Sequence, residues 1–105
     1  MHFTSFLQDG QLTIALTGEI DHHYAKKTIE TIISKIEAYT PQICVLDFLE
    51  VTFMDSSGIA VVINALRYMS QIDGKLVLTG LGNQPMKVFQ TSGIDKLVEI
   101  KGAVS

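Results

Sequence analysis

Asp55-Ser56-Ser57-Gly58 is the densest chemistry in this sequence. The apolar run Ile43 to Leu46 before it is short and rich in β-branched residues, as a buried strand is. After it, Ile59, Val62, Ile63 and Leu66 recur at helical spacing. An acid and two hydroxyls thus stand where a strand hands over to a helix. Asp and Ser are favoured N-caps, because their oxygens accept the unpaired amide hydrogens of a first helical turn. One hydroxyl is expected to cap and the other to face solvent, where it is the candidate functional group. Neither serine lies in a Gly-x-Ser-x-Gly elbow, which disfavours a hydrolase triad. Asp21-His22-His23 offers metal-ligand types, but adjacent side chains diverge and no second His or Cys cluster completes a site. Gly80-Leu81-Gly82-Asn83-Gln84-Pro85 begins like a dinucleotide fingerprint, yet Pro85 stands at the third glycine and no second nucleotide-binding half follows. It reads as a loop emerging on the same edge as Ser57.

The elements that must position these residues follow from pattern. Phe3–Gln8 and Leu12–Leu16 flank Asp9-Gly10, a strong hairpin signal because both turn residues tolerate positive φ. A helix is expected over Tyr24–Tyr39, started by Asp21 or His22, with the stripe Ala25, Ile29, Ile32, Ile33 and Ile36. Thr40-Pro41 ends it. A strand over Ile43–Phe48, a helix over Ser57–Ile72 and a strand over Leu76–Thr79 come next. A helix over Gln84–Ser92 follows, with Pro85 in its first turn and Gly93 after its end. Leu97–Ile100 reads as a last strand and Lys101–Ser105 as frayed. A hairpin followed by strand–helix alternation implies an α/β mixed sheet with parallel later strands joined by right-handed crossovers.

At 105 residues the chain is expected to form one domain, 1–105. Hydrophobic residues at 47% against 18% charged argue for a folded core. A formal net charge of −3 gives no basic footprint for nucleic acid. No apolar run reaches the ~20 residues of a membrane helix, and the N-terminus lacks signal-peptide regions. The lone Cys44 can form no internal disulfide. A cytoplasmic protein without membrane insertion is the expectation.

Phe53-Met54-Asp55-Ser56-Ser57-Gly58 resembles the signature of the STAS domain family, in particular bacterial anti-sigma-factor antagonists of the sporulation and stress type. Leu16-Thr17-Gly18-Glu19-Ile20-Asp21-His22-His23 is similar to that family's second strand and following loop. Phe89-Gln90-Thr91-Ser92-Gly93-Ile94 is similar to its third helix and terminal turn. The resemblance implies a mixed sheet with helices mainly on one face. Many members carry a further helix after the last strand, for which this sequence leaves no residues, so either the sheet is packed more thinly at that edge or a partner or second copy covers it. It also implies that Ser57, directly before the glycine, accepts phosphate from an anti-sigma factor with serine kinase activity, using ATP and magnesium. The unphosphorylated protein would bind that kinase and release the sigma factor; a serine phosphatase would reset it. The chain itself would be no enzyme and need no cofactor. Ser56 and Asp55 are expected to hold the turn and Gly58 to permit it. Asp21 and His23 would shape the partner surface, and Val61 would face outward beside the switch. Phosphate at a helix N-terminus would be tolerated by unpaired amides and the dipole, amid Asp55, Asp21, Glu19 and Glu50. Two other readings are a fixed STAS subunit of a transporter or stress-sensing assembly and a small nucleotide-binding protein.

Overall fold

The computed structural model describes residues 1–102, so the part of the tail reading that concerns residues 103–105 lies outside the described residues. Strands β1 (His2–Gln8) and β2 (Gln11–Ile20) form the expected hairpin, closed by the pair Gln8↔Gln11. Asp9 and Gly10 take φ of 52° and 80°, the left-handed pair of a type I′ turn whose twist matches that of the strands. Helix α1 (Ala25–Tyr39) follows and ends on Thr40, left-handed at φ 40° ahead of Pro41. Strand β3 (Ile43–Met54), helix α2 (Ser57–Gln71), strand β4 (Lys75–Thr79) and helix α3 (Asn83–Ser92) succeed one another. After Gly93, a 3-10 turn over Ile94–Lys96 leads to β5 (Glu99–Lys101).

The sheet order is β1-β2-β3-β4-β5, with the hairpin antiparallel and every later pair parallel. Each crossover advances one strand in the same direction. Right-handed crossovers that never reverse direction put all three helices on one face. Strand alternation agrees: Leu12, Ile14 and Leu16, then Cys44, Leu46 and Phe48, then Leu76 and Leu78 are buried toward the helices. Ile32 and Ile36 of α1, Val62 and Met69 of α2 and Phe89 of α3 close the core from above.

Three strands differ from expectation. β2 does not stop at Leu16 but runs on to Ile20, paired with β3. β3 does not stop at Phe48 but continues to Met54, carrying two register shifts against β2 between Ala15/Thr17 and Gly18/Glu19. Each shift inserts an extra β3 residue, which breaks the alternation that marks a strand in sequence. β5 starts at Glu99, because Leu97 belongs to the preceding turn and is 60% exposed. Lys101 pairs with Thr79 as part of that strand.

Cys44 is fully buried, and burial pushes its thiol up to about 12. Since the thiolate is the reacting species, native protein at pH 8 should label with Ellman's reagent about three orders of magnitude more slowly than an ordinary thiol. Urea-unfolded protein should label at once. Fast labelling of the native chain would contradict this packing.

Candidate functional site

The strand–helix junction is built by backbone and side chains from three segments. Asp55 N–H donates to Ile20 O at 3.0 Å, so the ends of β2 and β3 meet at the turn. The Asp55 carboxylate then bridges two loops: Oδ1 accepts from Ser57 N–H at 2.7 Å, and Oδ2 from His22 N–H at 3.2 Å. Asp21 organises the neighbouring loop, its Oδ1 accepting from Tyr24 N–H at 3.0 Å and its carbonyl from Ala25 N–H at 2.9 Å. Asp21 thus closes the turn that leads into α1, but neither it nor His22 is the expected N-cap: Tyr24 holds that position, with no side-chain cap bond. His23 is exposed and stands edge-on against Tyr24, ring centroids 4.7 Å apart.

Gln84, in the first turn of α3, completes the third side. Its Oε1 accepts from Met54 N–H at 2.9 Å and its Nε2 donates to Met54 O, so the side-chain amide pairs with the last strand residue as a neighbouring strand would. This clasp is absent from the sequence reading, which placed the loop on this edge without assigning Gln84. A Gln two residues after a Gly-Leu-Gly loop is no signal by itself.

Ser56 occupies the N-cap position of α2 but makes no side-chain cap bond. Its φ/ψ of −63°/−13° is already helical, whereas a capping side chain needs an extended residue to reach back to the amides. Asp55 takes that part instead. Gly58 N–H donates to Asp55 O and Ile59 N–H to Ser56 O, both at 3.1 Å. The amides of Ser57, Gly58 and Ile59 are therefore engaged within the turn. A phosphate on Ser57 would meet the helix dipole but not these amides as free donors, which corrects the expectation.

Gly58 is needed for space more than for turn geometry. A Cβ there would lie 2.2 Å from Met54 Sδ, and Met54 is fully buried. Val61, expected to face a partner, is 1% exposed and part of the core. The buried face of α2 runs through Gly58, Val61, Val62, Ala65 and Met69, with Ile59, Ile63 and Leu66 half-buried at its flanks. Ala60 does face outward. Glu19 pairs with Phe53, close to the turn, but Glu50 pairs with Thr17. Glu50 thus sits roughly 13 Å back along the strand from Met54, outside the acidic group.

Hydrogen bonds from Ser57 N–H, helped by the adjacent Ser57 hydroxyl and by His22 N–H, hold the Asp55 carboxyl below the ordinary aspartate range. A depressed carboxyl lends its bonds above the unfolded aspartate pKa of ~3.9 and loses them as pH falls through the lower folded value. The amide resonances of His22 and Ser57 should therefore shift together, and only below about pH 4. Independent titrations of the two amides would separate the loops that Asp55 is said to join.

Beside the turn, α2 and α3 leave a groove of about 330 Å³, lined by Ser56, Ile59, Gln84, Lys87, Val88, Thr91 and Ser92. Phe53, next to Met54 in β3, is 43% exposed. Among the described residues no three His, Cys, Asp or Glu side chains group as metal ligands, and no helix is long and apolar enough to cross a membrane.

The STAS domain model matches residues 7–105. An anti-sigma-B factor antagonist of Listeria monocytogenes is 32% identical over 93 residues, which span 86% of this chain and 78% of that protein. Among solved structures, the chain matches the anti-sigma factor antagonist SpoIIAA in its unphosphorylated form with a TM-score of 0.82 and 27% identity, covering 99% of this chain and 90% of that one. It matches the phosphorylated form of the Bacillus cell fate determinant SpoIIAA with a TM-score of 0.74 and 27% identity, covering 99% and 93%.

Proposed function

The chain belongs to the STAS domain family, and on that premise we propose that it is an anti-sigma-factor antagonist switched by phosphorylation of Ser57. Unphosphorylated, it binds an anti-sigma factor that is also a serine kinase, so that the sigma factor is released. The kinase transfers phosphate from ATP to the Ser57 hydroxyl, the complex weakens, and a serine phosphatase restores the free hydroxyl. The chain is substrate and ligand here and supplies no catalysis of its own.

The observation that carries this reading is the placement of Ser57. It is the first residue of α2, beside an Asp55 carboxylate that also ties down the His22 loop, and next in sequence to Ser56, which lines the α2–α3 groove. A hydroxyl so placed can change the charge of a binding surface without any element of the fold having to move. The likeness to structures of SpoIIAA in unphosphorylated and in phosphorylated form supports a phosphorylated state for this chain. Asp21, His23, Asp55 and Ser56 shape the surface around Ser57, with Gly58 buried beneath it, and the groove extends it.

Mass spectrometry after incubation with ATP, magnesium and the candidate kinase tests the proposal. Wild type and Ser56→Ala should each gain one phosphate, and Ser57→Ala none. A stable complex that forms while none of the three chains is phosphorylated would remove the switch.

A further inference from the structure

We infer that the outer edge of β1 is a homodimer interface, on which a second copy of this chain adds its own β1 antiparallel about a two-fold axis at Ser5. The two ends of the sheet are treated differently. β5 is three residues long and carries Glu99 and Lys101, with Lys75 and Lys101 both paired to Glu99. Charge and shortness are the usual protection of a sheet edge. β1 is the other edge, seven residues long, with no Asp, Glu, Lys, Arg or Pro and no register shift against β2. It leaves Phe6 60% and Leu7 46% exposed.

The hairpin decides which backbone groups are free. In a two-residue hairpin the pair that flanks the turn is hydrogen-bonded, and bonded and non-bonded pairs then alternate. Gln8↔Gln11 is therefore bonded, as are Phe6↔Thr13, Thr4↔Ala15 and His2↔Thr17. The N–H and C=O groups of Phe3, Ser5 and Leu7 point away from β2. Antiparallel pairing about Ser5 matches Phe3 with the second copy's Leu7, Ser5 with Ser5, and Leu7 with the second copy's Phe3. Every free group of the strand then finds a partner, because each such pair exchanges both bonds. A shift of two residues in either direction leaves one of the three outward residues unmatched. The side chains agree with this register. Phe3, which packs against the core, meets Leu7 on the helix side. The strand itself carries no Asp, Glu, Lys or Arg. The charge at the axis is Lys35 of α1, whose ammonium donates to Ser5 Oγ at 3.0 Å. The two copies' lysines thus face each other there, a repulsion that salt screens. An isologous contact closes as a dimer and does not propagate. Ser57 follows β3, two strands in from this edge, so both switches stay accessible.

Sedimentation equilibrium on the whole chain, from micromolar to millimolar, should show a concentration-dependent dimer. Ser5→Pro removes an outward N–H and the part-buried hydroxyl that accepts from Lys35, but none of the β1–β2 ladder, so it should weaken association at least tenfold while circular dichroism and melting stay near wild type. Ser5→Cys provides a register-specific readout that does not depend on how proline is tolerated. Directly opposed Cα atoms of a bonded antiparallel pair lie about 5.5 Å apart, within disulfide range. With diamide as oxidant, Ser5→Cys should cross-link at least ten times faster than Thr4→Cys, and buried Cys44 should not compete. A chain that stays monomeric at every concentration overturns the inference. So does a dimer indifferent to a folded Ser5→Pro, or equal cross-linking at positions 4 and 5.

Discussion

Phosphorylation of Ser57, or Ser57→Glu as a weaker imitation, is expected to lower affinity for the anti-sigma factor about a hundredfold while leaving the domain's melting temperature within a few degrees of wild type. The two halves of this result have separate causes. Added charge of roughly −1.5 to −2 sits beside the Asp55 carboxylate on a surface that must come within contact distance of a partner. Like charge and desolvation cost several kcal/mol at such a contact, and about 2.7 kcal/mol already gives two orders of magnitude. Within the domain itself, the N-terminal end of α2 favours negative charge by about 0.3–1 kcal/mol. That offsets repulsion from Asp55, so the fold is left nearly as stable as before. Titration calorimetry at two salt concentrations, alongside thermal melts, checks both halves. Affinity loss should shrink at high salt as the Debye length shortens. A phosphorylated chain that binds as tightly as the free one, or that melts far lower, contradicts a switch made by surface charge.

Phe89→Ala should cost about 3–5 kcal/mol of stability, the range for truncating a buried phenylalanine. Phe89 is fully buried and meets Phe48 edge-to-face, centroids 5.8 Å apart and planes at 84°. The pair is the seam by which α3 sits on β3, so the loss combines transfer, cavity and aromatic terms. Against the 5–15 kcal/mol total of an ordinary domain this is a large fraction, equivalent to a drop in melting temperature of at least ~12 °C. The site should suffer with it, because α3 also carries the Gln84 amide that clasps Met54. Urea and thermal melts measure the cost, and exchange of the Met54 amide reports the clasp. A loss below about 1 kcal/mol would mean that α3 closes over the gap, contrary to the close packing of protein interiors.

Local rules read the hairpin, the three helices and the parallel alternation correctly, because each is specified within a few residues. Asp9-Gly10 needs only its own tolerance of positive φ, and the Ala25, Ile32, Ile36 stripe needs only helical geometry. Thr40-Pro41 and Gly93 end their helices for equally local reasons. The Asp55-Ser56-Ser57-Gly58 junction is legible for the same cause: acid, hydroxyls and glycine between two periodicities already mark a strand-to-helix turn. What lay outside the sequence depends on neighbours distant in the chain. Ile59, Ala60, Val61, Val62 and Ile63 are all apolar, so their pattern cannot choose a phase. α2 packs against α1 on one side and α3 on the other, and that broad covered arc takes in Val61. β3 runs on to Met54 only because β2 is there to pair with it through two register shifts, which erase the alternation a strand shows alone. Ser56 does not cap, since Asp55 reaches the Ser57 amide first and the backbone at Ser56 is already helical. The Gln84–Met54 clasp joins residues thirty positions apart, and only the docking of α3 on β3 brings them together.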